Sequence, residues 1–240
     1  MPLAKRAVNG TVDLLTGFLC RVEAKGLEKV PDKGPLLLIA NHINFLEIPV
    51  LRKCLGPRPV TGLAKVESWR NPLVGYLFTL WGAIPIRRGE TDLGAMRQAL
   101  SVLERGYILA IGPEGTRSHD GRLGPGHPGA VSLALQSHSP LLPVAHFGGE
   151  LVGRNVKHLR RTRVHIVVGD SFTFDAGGAR VTRDVRQQMT DEMMYQLAAL
   201  LPPAYRGVYS DLTKATETYL RFTPPQQSNL QAVRGESWRT

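Results

Sequence analysis

The sequence predicts an α/β fold: a single domain with a central β-sheet flanked by helices, and with an amphipathic helix at its N-terminus. Short apolar runs typical of buried strands alternate with segments of helical periodicity. A sheet built in this way carries helices on its faces. The chain has 240 residues, 42% of them hydrophobic, which is enough to bury one large core.

The first twenty residues predict a helix with one apolar face. Apolar side chains recur at mostly helical spacing from Leu3 to Leu19. Two placements are open for this helix at residues 1–20: packed against the core, or lying on a membrane surface. No apolar run is long enough to span a bilayer, and no signal peptide is evident. We therefore expect a chain that is neither exported nor membrane-spanning.

After this helix, strands and helices alternate along the chain. Each predicted strand is a short apolar run, and each predicted helix lies between two such runs. The strands are expected at 35–40, 59–64, 83–86, 107–111, 141–145 and 164–168, and the helices near 45–55, 70–80, 91–105, 128–137 and 182–201.

The alternation ends at Pro202-Pro203, because proline cannot continue a helix. We therefore assign the main domain to residues 21–202. The remaining residues, 203–240, are polar, with one short helical stretch expected near 210–220. This segment is predicted to be a partly mobile tail.

The chain carries a formal net charge of +10, which favours anionic partners: nucleic acid, anionic lipid headgroups or phosphate-rich substrates. No zinc finger, helix-turn-helix or RNA-binding signature is present, so no nucleic acid is expected. The two cysteines, Cys20 and Cys54, match neither a disulfide framework nor a metal-site spacing, and no metal is predicted.

The stretch "NHINFLE" at residues 41–47 directly follows the predicted strand 35–40. Sites in α/β sheets form where strands end. His42 there could take a proton from a hydroxyl group, and Glu47 could hold the imidazole in the required tautomer. Five residues is not the spacing of helical neighbours, so the pair needs a turn between them or a helix that begins near Asn44. A histidine that only caps a helix is the competing interpretation.

Three further stretches lie in predicted strands or directly after one. "GPEGTRS", at residues 112–118, is a glycine-rich turn whose backbone N–H groups could meet an anion. "GAIPIRRG" ends a strand on Arg87 and Arg88, and arginine binds phosphate through a bidentate fork. "LLPVAHFG" holds Pro143, which suggests an edge strand or an irregularity, and His146, which we interpret as structural. An ordinary turn and a solvated strand end are the alternatives for the first two.

The order and spacing of these four stretches resemble the glycerolipid acyltransferase family, enzymes similar to 1-acylglycerol-3-phosphate acyltransferase. The resemblance spans roughly residues 20–175 and includes the connecting "DGRLGPGHPGA". It implies that His42 is the catalytic base and that Glu47, where the family has aspartate, orients it. It also implies an acceptor and phosphate site, formed by Arg88, Glu114, Gly115, Thr116 and Arg117.

Four positions depart from the family pattern. Arg87 stands where many members carry a different residue before the arginine. Glu47 is one methylene longer than aspartate, which changes the geometry of the histidine–acid pair. Gly112 stands where phenylalanine is common, and His127 stands where lysine is common. These changes are compatible with an altered acceptor and also with no functional effect.

The resemblance implies transfer of an acyl group from acyl-CoA or acyl carrier protein to the free hydroxyl of 1-acylglycerol-3-phosphate, giving phosphatidic acid. No cofactor is expected. The implied partners are acyl-CoA or acyl carrier protein, a lysophospholipid and an anionic membrane surface. The resemblance thus implies a peripheral protein at the cytoplasmic face of the membrane. Three alternatives stay open: another lysolipid or glycerol-3-phosphate as acceptor, a catalytically inactive membrane-binding protein, and a basic nucleic-acid-binding protein.

Overall fold

A computed structural model describes residues 3–234 except 57, 88, 90, 91, 119 and 179. Seven strands of the described chain form one sheet, and two short strands pair separately. The strands are β1 (Cys20–Lys25), β2 (Leu36–Ala40), β3 (Val60–Lys65), β4 (Ile84–Ile86), β5 (Ile108–Ile111), β6 (Leu141–Phe147), β7 (Thr162–Val168), β8 (Thr173–Phe174) and β9 (Leu220–Arg221).

The order of the large sheet is β1-β7-β6-β2-β5-β3-β4. All its neighbouring strands run parallel except β6 and β7, which are antiparallel. Strand β2 lies in the middle, between β5 and β6, with Ile39 opposite Ile111 on one side and Ala40 opposite Val144 on the other. The carboxyl ends of β2, β5 and β6 therefore meet at one edge of the sheet.

Helices connect the strands and cover both faces of the sheet. Three of them begin at side-chain caps, supplied by Asn71, Asp92 and Thr182, whose oxygens accept N–H groups of the first turn. The helices are α1 (Leu3–Leu19), α2 (Glu47–Leu55), α3 (Pro72–Trp81), α4 (Leu93–Glu104), α5 (Gly129–Ser137), α6 (Val152–Lys157), α7 (Arg183–Ala199) and α8 (Asn229–Arg234).

The core is built around β2, whose five residues are all buried. Leu37 and Ile39 belong to the apolar cluster shared with α4, α5 and α7, whereas Leu36 and Leu38 belong to the cluster shared with α2. Alternate side chains of one strand thus serve opposite faces of the sheet. Burial on both faces is the reason why this strand is continuously apolar.

The predicted fold class is confirmed, and each predicted strand and helix of the main domain begins and ends within two residues of the observed one. The prediction omits β1, β8, β9, α6 and α8. Strand β1 reads "CRVEAK", and its charged residues are tolerated because it pairs only with β7, at the edge of the sheet. Pro143 lies in the interior strand β6, one residue before the registered pairing with β7 begins.

The segment after residue 202, predicted to be a partly mobile tail, packs against the domain through residue 234. Tyr209 and Leu220 are buried in the main apolar cluster. The buried carboxylate of Glu192 in α7 accepts the backbone N–H groups of Thr218 and Tyr219, at 2.9 and 3.0 Å. The segment is polar because it pairs with buried polar groups of α7, and composition alone does not reveal this. Residues 235–240 of the predicted tail lie outside the described residues.

The same segment holds the loop 121–126 in place. The N–H of Leu123 donates to the carbonyl of Tyr205 at 2.9 Å, and the N–H of Val208 donates to the carbonyl of Leu123 at 3.1 Å. The N–H of Gly126 donates to the Tyr209 hydroxyl at 3.0 Å. Between these contacts Gly207 has a φ of 53°, and a Cβ there would lie 1.9 Å from the Leu123 carbonyl oxygen.

We expect Gly207→Ala to destabilise the protein far more than Gly177→Ala does. Both glycines have a positive φ, 53° and 59°, so each alanine carries about 1–2 kcal/mol of backbone strain. At the exposed Gly177 nothing lies within 4 Å of an added Cβ. At Gly207 the clash with Leu123 should add about 1–3 kcal/mol. Urea unfolding would measure both variants, and equal free-energy losses would show that the contact with Leu123 is unimportant.

Candidate active site

The site lies where β2, β5 and β6 end side by side. His42 follows β2, the glycine-rich turn 112–118 follows β5, and His146 occupies the end of β6. Because these three strands are parallel neighbours, their carboxyl ends bring the three segments together. The structure therefore unites the stretches "NHINFLE", "GPEGTRS" and "LLPVAHFG" that were singled out in the sequence.

His42 and Glu47 are hydrogen-bonded to each other, with Nδ1 of the imidazole against Oε1 of the carboxylate. A turn makes this possible: Asn44 accepts the N–H of Leu46 at 2.9 Å and anchors the turn to the Gly149 carbonyl at 2.7 Å. Helix α2 begins at Glu47 itself. With Nδ1 donating to the carboxylate, Nε2 of His42 is the nitrogen that can accept a proton.

The second oxygen of Glu47 contacts a second histidine. Oε2 lies 2.9 Å from Nε2 of His146 and accepts the N–H of Ile43 at 3.0 Å. Nε2 of His146 also approaches the Asn41 carbonyl, and the Asn41 side chain bonds to the N–H and the carbonyl of His146 at 2.9 and 2.7 Å. The sequence interpretation of His146 as structural missed its contact with Glu47, because only the β2–β6 pairing reveals that these residues meet.

Charge governs the protonation of this cluster. Burial raises the pKa of Glu47, but the charge and hydrogen bond of His146, together with those of His42, outweigh it and lower the pKa to about 2. Burial lowers the pKa of His146, but the Glu47 carboxylate and the Asn41 carbonyl more than offset this effect and raise it above 6.5. The carboxylate is thus held in its charged form between two rings.

Glu114 braces the site from the glycine-rich turn. It is buried, and its two oxygens accept the backbone N–H groups of His42 at 2.9 Å and of Gly124 at 2.8 Å. Burial is the largest influence and raises the pKa of Glu114, against the lowering effect of these two hydrogen bonds. The carboxylate therefore joins three segments: the turn after β5, the loop 121–126 and the backbone of the candidate base.

The rest of the glycine-rich turn is partly open. Gly115 has a φ of 65°, and a Cβ there would lie 2.9 Å from the His127 ring. Thr116 and Arg117 are exposed, and the N–H of Ser118 donates to the His42 carbonyl at 2.7 Å. Exposed hydroxyl and guanidinium groups of this kind can bind an anion.

Two other predicted features have different outcomes. Arg88 lies outside the described residues. A Cβ at Gly112 would lie 3.3 Å from Cβ of His42, so a larger side chain there requires the candidate base to move. The small residue at this departure from the family pattern thus fits the observed position of His42.

Within the described part of the chain, no three histidine, cysteine, aspartate or glutamate side chains cluster as a metal site would require. A cavity of about 410 Å³ lies elsewhere, at the amino end of β4, and is lined by residues that include Trp69, Gln98 and Arg105. It contains none of the residues described above. The chemistry-bearing groups lie at the opposite end of the strands, so we assign the site there.

The sequence and the fold are both similar to those of known acyltransferases. A family profile described as Acyltransferase matches residues 21–146. The chain is 37% identical to a 1-acyl-sn-glycerol-3-phosphate acyltransferase of Limnanthes alba, over 61% of this chain and 52% of the relative. It is 26% identical to a Pseudomonas aeruginosa protein of the same name, over 76% and 71%. It is also 37% identical to a lyso-ornithine lipid O-acyltransferase of that bacterium, over 47% and 43%.

The chain spans about half the length, or less, of the plant relatives that it matches: 38% for a 1-acyl-sn-glycerol-3-phosphate acyltransferase of Brassica napus and 52% for that of Limnanthes alba. A solved structure also resembles it, that of the 1-acyl-sn-glycerophosphate acyltransferase PlsC from Thermotoga maritima. The TM-score is 0.58 at 21% identity, over 79% of this chain and 78% of the other. At this level of identity, the similarity to the Thermotoga maritima structure concerns the fold alone.

Proposed function

Because the chain belongs to the acyltransferase family that its residues 21–146 match, we propose that it is an O-acyltransferase acting on a lysophospholipid. The acceptor is 1-acylglycerol-3-phosphate, and the product is phosphatidic acid. The observation that carries the proposal is the His42–Glu47 hydrogen bond at the carboxyl end of β2. The names of the plant and Pseudomonas relatives support the choice of acceptor.

In the proposed reaction, Nε2 of His42 removes the proton from the acceptor hydroxyl. The hydroxyl oxygen attacks the thioester carbonyl of acyl-CoA or acyl carrier protein, and the C–O bond forms. The C–S bond then breaks, and the leaving thiolate takes up the proton held by His42. Glu47 stabilises the imidazolium between these two steps, as the acid of a serine hydrolase triad does. No cofactor takes part in this proposal.

The acceptor phosphate would bind near the glycine-rich turn. Thr116 and Arg117 are exposed there, and Gly115 provides the left-handed conformation of the turn. Arg88 belongs to the proposed phosphate site by resemblance only. Glu114 would act by holding His42 and the loop 121–126, since both of its oxygens already accept backbone N–H groups.

A second candidate acceptor is a lyso-ornithine lipid, which has no phosphate. The resemblance to the Pseudomonas aeruginosa lyso-ornithine lipid O-acyltransferase supports it. The base and its carboxylate would act in the same way on either hydroxyl group. The two acceptors differ in whether a phosphate must be bound.

The acceptor is a lipid, so we extend the proposal to contact with an anionic membrane from the cytoplasmic side. No described helix has the length and apolarity needed to cross a bilayer. On α1, Leu14, Leu15 and Phe18 are exposed. The guanidinium of Arg161 bonds to the carbonyls of Gly17 and Cys20, at 2.7 and 3.0 Å, and thereby ties the end of α1 to the turn after α6.

That turn carries Leu159, which is 96% exposed. The exposed basic residues Arg154, Lys157 and Arg160 surround it in the sequence. Apolar side chains that can enter the lipid boundary and cations that attract its headgroups are thus linked by one arginine. We use the name α1–α6 surface for the exposed residues of α1, of α6 and of the turn after α6, namely Leu14, Leu15, Phe18, Arg154, Lys157, Leu159 and Arg160.

We expect His42→Ala to lower acyl transfer on the order of 10²-fold or more, the usual contribution of a positioned general base. Thiol release from acyl-CoA with detergent-dispersed lysophosphatidic acid measures it, with acyl carrier protein as the donor in a parallel series. His138→Asn is the control, because it removes an exposed imidazole at a φ of 51° that asparagine tolerates. Near-normal turnover by His42→Ala would exclude His42 as the base.

We expect Arg117→Ala to raise KM for lysophosphatidic acid about tenfold or more, because a charge-assisted hydrogen bond to the phosphate is lost. KM for a phosphate-free monoacylglycerol should not change. Arg122→Ala is the matched control, as it removes an exposed arginine paired only weakly with Asp120. An equal effect on both kinds of acceptor would count against phosphate binding by Arg117.

We expect the double variant Leu14→Ser/Phe18→Ser to bind phosphatidylglycerol-containing vesicles at least about tenfold more weakly, since two large apolar side chains no longer enter the lipid. Leu73→Ser/Tyr76→Ser removes two other exposed large side chains, 68% and 51% exposed, from α3 and is the control. Added salt should also weaken binding of the unmodified chain. If the α3 variant loses as much binding, the α1–α6 surface is not the contact.

A further inference from the structure

We propose that His146 is a positioning residue for the reaction, and that residue 47 is a glutamate because its carboxylate must join two histidines. The inference rests on the proposed function, in which His42 is the base. It goes beyond that function by adding His146, from the neighbouring strand β6, to the pair formed by His42 and Glu47.

The two oxygens of Glu47 have separate tasks. Oε1 faces Nδ1 of His42, whereas Oε2 receives the Ile43 N–H at 3.0 Å and faces Nε2 of His146 at 2.9 Å. A carboxylate held at one oxygen can still rotate about its terminal bond. The Ile43 donor belongs to the same turn as His42, whereas His146 belongs to β6. His146 is therefore the donor that fixes the carboxylate, and with it the His42 ring, relative to the sheet.

His146 is itself rigidly held. It is 3% exposed, and the amide of Asn41 bonds to both its N–H and its carbonyl. Asn41 thereby continues the pairing of β2 with β6 by one side-chain step beyond Ala40. Because β6 is anchored on both sides, by β2 and by β7, the ring of His146 has a fixed place beside Glu47.

The tautomer of His146 follows from its surroundings. The two groups that face Nε2, the Glu47 carboxylate and the Asn41 carbonyl, are both hydrogen-bond acceptors. Nε2 must therefore carry a hydrogen whether the ring is neutral or charged. The charged groups acting on the ring are the carboxylates of Glu47 and Glu114, and neither competes as a donor.

An apolar residue would serve better if this position only filled the core. A buried imidazole loses its hydration, which is unfavourable unless hydrogen bonds replace it. Its ring nitrogen finds that replacement in Glu47 and Asn41, so the polar residue is placed where it can act on the carboxylate of the candidate base.

The length of residue 47 matters to this arrangement. An aspartate would withdraw the carboxylate by about one C–C bond, roughly 1.5 Å, while α2 keeps its backbone in place. One of the two histidine contacts would then be lost. The extra methylene, which on sequence grounds is a departure without an assigned effect, is therefore what allows a single carboxylate to reach both rings.

The test is a set of four variants: His146→Leu, His146→Gln, Glu47→Asp and the double variant Glu47→Asp/His146→Leu. We expect His146→Leu to lower kcat about tenfold or more with little change in KM, because the base is misoriented and substrate binding is intact. His146→Gln should recover most of the activity, since its amide can donate to Oε2. The double variant should be no worse than the poorer single variant, because both lose the same contact.

Three results would overturn the inference: unchanged kcat in a folded His146→Leu, no recovery by His146→Gln, or independent, multiplying losses in the double variant. Thermal unfolding checks that each variant is folded. A purely structural histidine would lower the unfolding temperature without the difference between kcat and KM and without recovery by glutamine.

Proton NMR of ¹⁵N-histidine-labelled protein separates failure of this inference from failure of the proposed function. We expect two exchange-protected imidazole N–H signals, one lost in His42→Ala and the other lost in His146→Gln. The His42 signal should broaden in His146→Leu and stay sharp in His146→Gln. If the wild type transfers no acyl group but these signals behave as expected, the proposed function is wrong and the Glu47 carboxylate does join the two histidines. If the His42 signal is the same in both His146 variants, His146 does not position His42 through Glu47.

Discussion

The pairing of β2 with β5 on one side and β6 on the other is the constraint on which the site depends. The paired residues of these strands are all apolar, and a one-residue shift of register would exchange the side chains that face the two apolar clusters. Fixing Ile39 opposite Ile111 and Ala40 opposite Val144 also fixes what comes after those residues. The candidate base, the glycine-rich turn and the second histidine inherit their relative positions from this alignment.

Where the strands end, polar groups must find partners without water, and the site is made from those partnerships. Asn41 satisfies the end of β6, and Glu114 satisfies the backbone of His42 and the loop 121–126. Such groups are costly to leave unpaired in a buried place. The Asn41 amide and the Glu114 carboxylate are therefore held in fixed positions, and the imidazole of His42 is surrounded by groups that have little freedom to move.

Local patterns in the sequence predict much of this arrangement. Apolar runs mark β2 through β7, and the placement of His42 after a strand is enough to suggest the base and its acid. The contact between Glu47 and His146 could not be predicted, because it depends on β2 and β6 being neighbours in the sheet. Asn41 and His146, which join the ends of these two strands, lie 105 positions apart along the chain. The same holds for residues 203–231, where several polar side chains look solvated until Glu192 and Gln196 are seen buried beneath them.

The support that Tyr205, Gly207 and Tyr209 give to the loop 121–126 bears on the order in which the protein matures. During synthesis the candidate base, His42, leaves the ribosome early, but the hydrogen bonds that secure Leu123 and Gly126 come from residues made much later. Gly124, in that same loop, completes the brace on Glu114. A nascent chain would thus expose its imidazole before the surrounding scaffold is closed, so competence would be acquired only when this late segment has docked.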